Sequence, residues 1–352
     1  MYVPETVVTT HELMAQMQNS QDIDLEGVTG IKSRRRRSET EDTYSISINA
    51  INDCLKNSRY GPEDLDIIIT CSITRFTVNG DAIFEPSVSY VLKQAIGAAN
   101  ARFFSVSNAC AGMGTGVHLL NNLIKSGTVK NGMVVSGECI TGISDTALVE
   151  IKDPIDPQFA SLTVGDAGAA VIMDVSLRPD EESIEYTHFT TVAEFSDLCF
   201  GLPSSETGNM AMYSDSIGLH TETLLRLAQF VHSAVKKKTG RDDMDYSTNH
   251  VIPHQTSIKA MEMGQKTLTR HFNANPDYAG QVLISDYIKT FGNTASTSNF
   301  VVLYAAIRDG RIKKGDKVLL MLQASGIVLG LISIRIGDIK LNRQAEVEHA
   351  WE

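Results

Sequence analysis

Cys110, His254 and Asn293 each stand where a short apolar run gives way to a helical period, and a thiol, an imidazole and a carboxamide so placed are candidates for a nucleophile and its hydrogen-bonding partners. In FFSVSNACAGMGTG (Phe103–Gly116), Phe103, Phe104 and Val106 read as a buried strand, whereas Met113, Val117, Leu120 and Ile124 recur at helical spacing. Cys110 is thus expected at a helix start, where unpaired N–H groups and a partial positive charge make a thiol easier to ionise and thiolate is the nucleophilic form. Ala109, Ala111, Gly112 and Gly114 suit a tight turn open to a ligand. VIPHQTS (Val251–Ser257) puts His254 just past a strand, and FGNTAST (Phe291–Thr297) puts Asn293 at another helix start. Singly, these are also what a buried structural cysteine or a helix cap looks like. Three such residues at three loop-to-helix junctions of one α/β chain point to chemistry.

The same glycines imitate a dinucleotide-binding turn, with Gly112, Gly114 and Gly116 after a strand and Glu138 ending the next one. The third glycine falls one residue early for that pattern, and the reading leaves Cys110 without a purpose.

The elements that must carry these residues alternate in two series. Tyr44, Ile48, Ile51 and Leu55 keep a helical period, Leu65–Cys71 is a strand-length apolar run, Ser72–Pro86 is a long loop and Val88–Ala98 a helix. Gly132–Gly137 and Val164–Val175 contain further strands, separated by a loop (141–161) of a length that is usually functional. Alternation then restarts: a strand in Glu185–Phe195, an amphipathic helix over Leu224–Val235, a short strand ending at Pro253, and strands in Lys317–Gln323 and Ile327–Ile336. Two successive series imply α/β layers with a mixed sheet in each, packed as one body.

The composition, 42% hydrophobic and 21% charged with a net charge of −11, is that of a soluble protein without the cationic surface that nucleic acid or anionic membrane requires. Five widely spaced cysteines without a C-x-x-C pair, and nine histidines without an H-x-x-x-H pair, fit a reducing cytosol and no zinc site. No apolar run has the length of a membrane span, and a cytoplasmic location is expected. Lys32–Arg37 (KSRRRR) reads either as a solvated charge run or as a clamp for phosphate or an acidic protein.

SNACAGMGTG, VIPHQTS, GNTAST and VGDAGAAVIM, with YVPETVVTT, TGIKSRR and ASGIVLG, resemble in order and spacing the signature segments of thiolase-superfamily condensing enzymes of the ketoacyl-ACP synthase III type. The resemblance implies a duplicated αβαβα five-layer fold with two mixed sheets, residues 1–175 forming the half with the cysteine and 176–352 the half with the histidine and asparagine. It further implies a homodimer and Claisen condensation of acyl thioesters, with no cofactor beyond the CoA or acyl carrier protein that carries the substrate. Cys110 would take the acyl group, the backbone at Cys110 and at Ser325 or Gly326 would hold its oxyanion, and His254 and Asn293 would stabilise the enolate of the second thioester.

Four departures refine that expectation. The family's first strand is nearly missing from MYVPETVV, and DLEGVTGIKSRR lacks the tryptophan that stacks on CoA, which shifts weight to a carrier protein with Arg36 and Arg37 as its phosphate contacts. His254 and Asn293 stand 39 residues apart, more than is usual, with the extra chain in HFNANPDYAGQVLISDY. Glu85 precedes Pro86 where a bulky apolar residue ordinarily reaches across the dimer into the acyl tunnel. A glutamate there resembles the head-to-head acyl-condensing enzymes and the ketosynthases that form dialkylresorcinols or cyclohexanediones. Plain decarboxylative chain extension and acyl transfer to an alcohol or amine are the alternatives.

Overall fold

In the computed structural model, which describes residues 1–19, 23–153, 155–239, 248–271 and 282–339, the first series of elements is β1 (Thr6–Thr9), α1 (Thr10–Met14), α2 (Leu25–Thr29), β2 (Ser33–Arg36), α3 (Thr43–Lys56), β3 (Ile67–Thr70), α4 (Val88–Ala95), β4 (Arg102–Ser105), α5 (Gly112–Lys125), β5 (Asn131–Glu138), α6 (Gly142–Glu150) and β6 (Ala167–Asp174). The second is β7 (Ser183–Thr191), β8 (Cys199–Pro203), β9 (Met210–Ser214), α7 (Ser216–Thr239), β10 (His250–Pro253), α8 (Ile258–His271), β11 (Val282–Leu283), α9 (Ile288–Phe291), α10 (Ser298–Arg308), β12 (Lys317–Ala324) and β13 (Val328–Arg335).

The two main sheets repeat one plan. The first runs β4-β3-β5-β6, with β3 parallel to β4 and β5, and β5 antiparallel to β6. In the second, β11-β10-β12-β13-β7, the strand β10 is parallel to β11 and β12, and β13 lies antiparallel between β12 and β7. Where β7 flanks β13, its counterpart β6 has a single bridge, Tyr2 to Gly168.

Alternation along the strands dictates the layering, because successive side chains leave opposite faces of a sheet. Ile68, Met133 and Val135 turn outward onto Ile51 of α3 and Val88 and Leu92 of α4. Ile67, Ile69 and Val134 turn inward with Met113, Val117 and Leu120 of α5, and there they meet Val301, Val302 and Ala305 of α10 and Val318, Leu320 and Ile332 of the second sheet. Leu319, Met321 and Leu331 face out again, onto Leu227 and Val231 of α7 and Leu268 of α8. The order is helices, sheet, helices, sheet, helices: the five-layer αβαβα arrangement, with α5 and α10 in the middle.

The arginine run is neither a solvated face nor an open clamp. Ser33–Arg36 is strand β2, paired with β1 from Thr6↔Arg36 to Thr9↔Ser33. Arg34 is buried beneath it, where desolvation draws its guanidinium down to about 10. Arg35 donates to the carbonyls of Pro4 and Glu5. The lengthened stretch before Asn293 falls largely on residues 272–281, outside the described residues.

Candidate active site

Cys110 lies in a single 3₁₀ turn, Ala109–Ala111, directly before α5. The turn is tight because Ala109 holds a φ of 44°, a left-handed conformation that a residue with a Cβ adopts only at some cost. Gly112 is required next, since a Cβ there would come within 2.8 Å of the Cys71 carbonyl oxygen at the end of β3. The asparagine turn repeats the device. Ala295 has a φ of 52°, Ala295–Thr297 is again 3₁₀, and α10 follows. Ahead of it, a Cβ on Gly292 would press to 2.7 Å from the Thr163 carbonyl.

The two turns pack directly on one another, and the cysteine turn also packs on β12 and β13, the strands joined through Ser325 and Gly326. Asn293 is clamped through its backbone, its N–H donating to Thr163 (2.9 Å) and its carbonyl accepting from Gly165 (3.0 Å). The Ala295 N–H donates to Asn293 Oδ1 at 3.0 Å. This orients the amide and leaves Nδ2 without a partner among the described residues. His254 follows β10 and donates its backbone N–H to the carbonyl of Met321 on β12 (2.9 Å). The same carbonyl and that of Ile252 accept from Asn299 in α10, so the histidine and asparagine segments share one scaffold.

His254 is 4% exposed, its Nδ1 has no hydrogen-bond partner among the described residues, and burial lowers the imidazole to about 4. At neutral pH it is an uncharged donor. Cys110 is half-buried, packed with Met210 and Met212 of β9 against Ile140, Ile143, Val164 and Ala295. Burial, followed by the charges of Cys199 and Glu138, pushes its thiol up to about 12. This corrects the expectation of an easily ionised thiol: desolvation outweighs the helix start, and the resting pair is thiol and neutral imidazole.

The other candidates lie apart. Arg36 pairs with Asp145, and Arg37 donates to the carbonyls of Ser38, Glu41 and Val78, so both half-buried guanidiniums already have partners within the chain. Glu85 is exposed on the hairpin-like loop ahead of α4. That loop is fastened to β4 by Ser87 and Ser105, whose hydroxyls are 2.9 Å apart. The apolar wall of Ile140, Ile143, Met210 and Met212 was not foreseen. Met210 and Met212 of β9 meet Ile143 of α6 and Ile140 just ahead of it only in three dimensions, and the 141–161 segment, a loop by sequence, in fact contains α6 and the start of a 3₁₀ helix (Phe159–Thr163). Among the described residues no group of three or more acidic, histidine or cysteine side chains could hold a metal ion, and no helix is long and apolar enough to cross a membrane.

Fold and turn geometry together define a thiolase-like condensing enzyme. Residues 104–193 match 3-Oxoacyl-[acyl-carrier-protein (ACP)] synthase III and residues 238–336 match the C-terminal part of the same synthase; the chain belongs to that family, and it is an acyltransferase of the condensing type. A β-ketoacyl-[acyl-carrier-protein] synthase III of Bacillus cereus is 28% identical over 344 residues, 96% of each chain. Similar solved structures are OleA of Xanthomonas campestris with bound lauric acid and lauroyl-CoA (TM-score 0.78, 22% identity, 95% of this chain and 96% of that one) and the priming β-ketosynthase of the R1128 polyketide pathway (TM-score 0.79, 20% identity, 96% and 95%).

Proposed function

We propose that this enzyme joins two acyl thioesters through an acyl-Cys110 intermediate, with His254 and Asn293 as donors to the second thioester. The observation that carries the reading is the direct packing of the cysteine turn on the asparagine turn with Asn293 Nδ2 left free. In the first half-reaction the Cys110 sulfur bonds to the acyl carbon, the thioester C–S bond breaks, and the thiol proton goes to the departing sulfur by way of His254. With the thiol held near 12 and the imidazole near 4, that proton moves as the C–S bond forms, since a preformed ion pair is disfavoured. The acyl oxygen lies against the N–H of Cys110 and one at Ser325 or Gly326. In the second half-reaction the carbonyl of the other thioester accepts from His254 and Asn293, its α-carbon attacks the acyl carbon, and the C–S bond to Cys110 breaks, the sulfur taking up the proton the α-carbon gave up or, where CO₂ is lost instead, one from water. Each such donor is worth about 3–4 kcal/mol.

The α-carbanion arises either by loss of CO₂ from a malonyl group or by removal of an α-proton. Glu85 favours the second. Strand β4 is an open edge, paired only with β3 among the described residues, and carries exposed Phe103 beside Tyr90. A second copy joined along this edge would bury the neighbouring loop and turn Glu85 towards its partner's thiol. The acyl donor is then a carrier-protein or CoA thioester, and the product a 3-oxo chain from two acyl groups or a ring formed from it. OleA, with its bound lauroyl-CoA, is a precedent for long acyl groups in this fold.

The test is intact-protein mass spectrometry with a panel of acyl-CoA and acyl-carrier-protein thioesters, followed by product analysis. Acyl-Cys110 should form normally in Asn293→Ala with condensation reduced by about 10²–10³, whereas His254→Ala should slow acylation as well as condensation. Mixed dimers of Cys110→Ala and Glu85→Ala subunits should regain activity that neither homodimer has. Full activity of the Glu85→Ala homodimer would leave plain chain extension as the reading.

A further inference from the structure

Behind the two turns lies a buried carboxylate that the mechanism above does not use. Glu138, the last residue of β5, is 0% exposed. Its Oε1 accepts from the Ile73 N–H (2.9 Å), from Ser136 Oγ (3.1 Å) and from Ser296 Oγ. Its Oε2 accepts from the Thr74 N–H (3.1 Å) and Thr74 Oγ1 (2.9 Å). No Lys or Arg pairs with it among the described residues. Burial pushes the carboxyl up and these donors hold it down; a buried carboxyl group is sustained only when its lone pairs are filled in this way.

The donors come from the segments that set the reacting geometry. Ile73 and Thr74 continue β3 past Cys71, against whose carbonyl Gly112 of the cysteine helix is pressed. Ser296 lies in the asparagine turn, one residue after Ala295, whose N–H orients the Asn293 amide. A Cβ on Gly112 would also lie 3.6 Å from Ser296 Cβ, so the three segments converge on one point. Ser136 Oγ and Ser296 Oγ, 2.6 Å apart, close the network.

We infer that Glu138 is a positioning residue for condensation: through Ser296 it fixes the asparagine turn, and through Ile73 and Thr74 it fixes the base of the cysteine turn, setting the distance between Asn293 Nδ2 and the acyl group on Cys110. This rests on the reading of Cys110 and Asn293 given above. Misplacement of a reacting group by about 1 Å can cost on the order of a hundredfold in rate, and loss of one arm of several is expected to cost less.

Glu138→Gln sets an NH₂ group against donors and should destabilise the fold, so the decisive variant is Ser296→Ala, which severs only the arm to the asparagine turn. Acylation of Cys110 should stay within about twofold of wild type, and kcat for condensation should fall about tenfold with little change in KM for the second thioester. The double variant Ser296→Ala/Asn293→Ala should be no slower than Asn293→Ala alone, because Ser296 acts through that amide. Unchanged condensation, equal loss in both half-reactions, or additive losses in the double variant would each overturn the inference. Failure of the wild type to form acyl-Cys110 would overturn the condensing mechanism itself, and this inference with it.

Discussion

Acid should expose the cost of keeping His254 neutral. Above pH 6.5 the imidazole is uncharged in the folded and the unfolded chain alike, so it contributes no pH dependence there. As the pH falls, the unfolded chain takes up a proton near 6.5 that the folded chain refuses until about 4. The unfolded state therefore binds more protons across this window, and stability is lost by about 1.4 kcal/mol for each pH unit crossed. The loss is about 2 kcal/mol between pH 6.5 and pH 5, and about 3 kcal/mol by pH 4. Other groups titrate in the same range, among them His118, His188 and His220, which burial also lowers. They act equally in a His254→Gln variant, and the difference between wild type and variant in urea unfolding isolates the one imidazole. That difference should be flat above pH 7 and swing against the wild type by about 2 kcal/mol at pH 5. A difference that stays constant from pH 7.5 to 5 would refute the argument, and so would an acid limb near pH 6.5 in the condensation rate.

Alkylation of resting Cys110 by iodoacetamide should rise about tenfold per pH unit from pH 7 to 10 without a plateau, because only the thiolate reacts and the thiol is held near 12; a plateau near pH 8 in a labelling time course would show an ionised thiol. Gly112→Ala drives a Cβ towards the Cys71 carbonyl and should cost about 1–3 kcal/mol in denaturant unfolding together with slower acylation. Unchanged stability would show that the backbone there can yield. The internal partners of Arg36 and Arg37 predict that alanine at both leaves KM for a carrier-protein thioester within about twofold at low salt, with stability lowered by no more than about 1 kcal/mol; a several-fold rise in KM would restore the phosphate role.

The features legible in the sequence are those governed by local periodicity. The run Leu65–Cys71 contains β3, Gly132–Gly137 lies within β5, and Val88 opens α4, because strand and helix periods are properties of a few consecutive residues. Cys110, His254 and Asn293 stand out for the same reason, each at a change of period. Strand β2 is hidden in the sequence because four successive arginines resemble a solvated surface, and the partners that accommodate them, the β1 pairing, Asp145 and Asp166, are remote in the chain. The ionisation of Cys110 was misjudged because its desolvation comes from Ile140, Val164 and Ala295, none of them its neighbour in the chain. By sequence Glu138 is the end of a strand or a stray acidic partner for a nucleotide; its donors include residues 65 before and 158 after it.

Because the cysteine and asparagine turns belong to the two repeats, α5 behind one and α10 behind the other, the gap across which the new carbon–carbon bond must form is bounded by the seam between the repeats and not by any single loop. In the proposed mechanism acylation does not use the asparagine turn, whereas condensation needs both turns at their correct separation. Heat, pressure or a substitution that lets α5 slip against α10 should therefore uncouple the enzyme before it unfolds it, giving a protein that still loads acyl groups and then loses them to water.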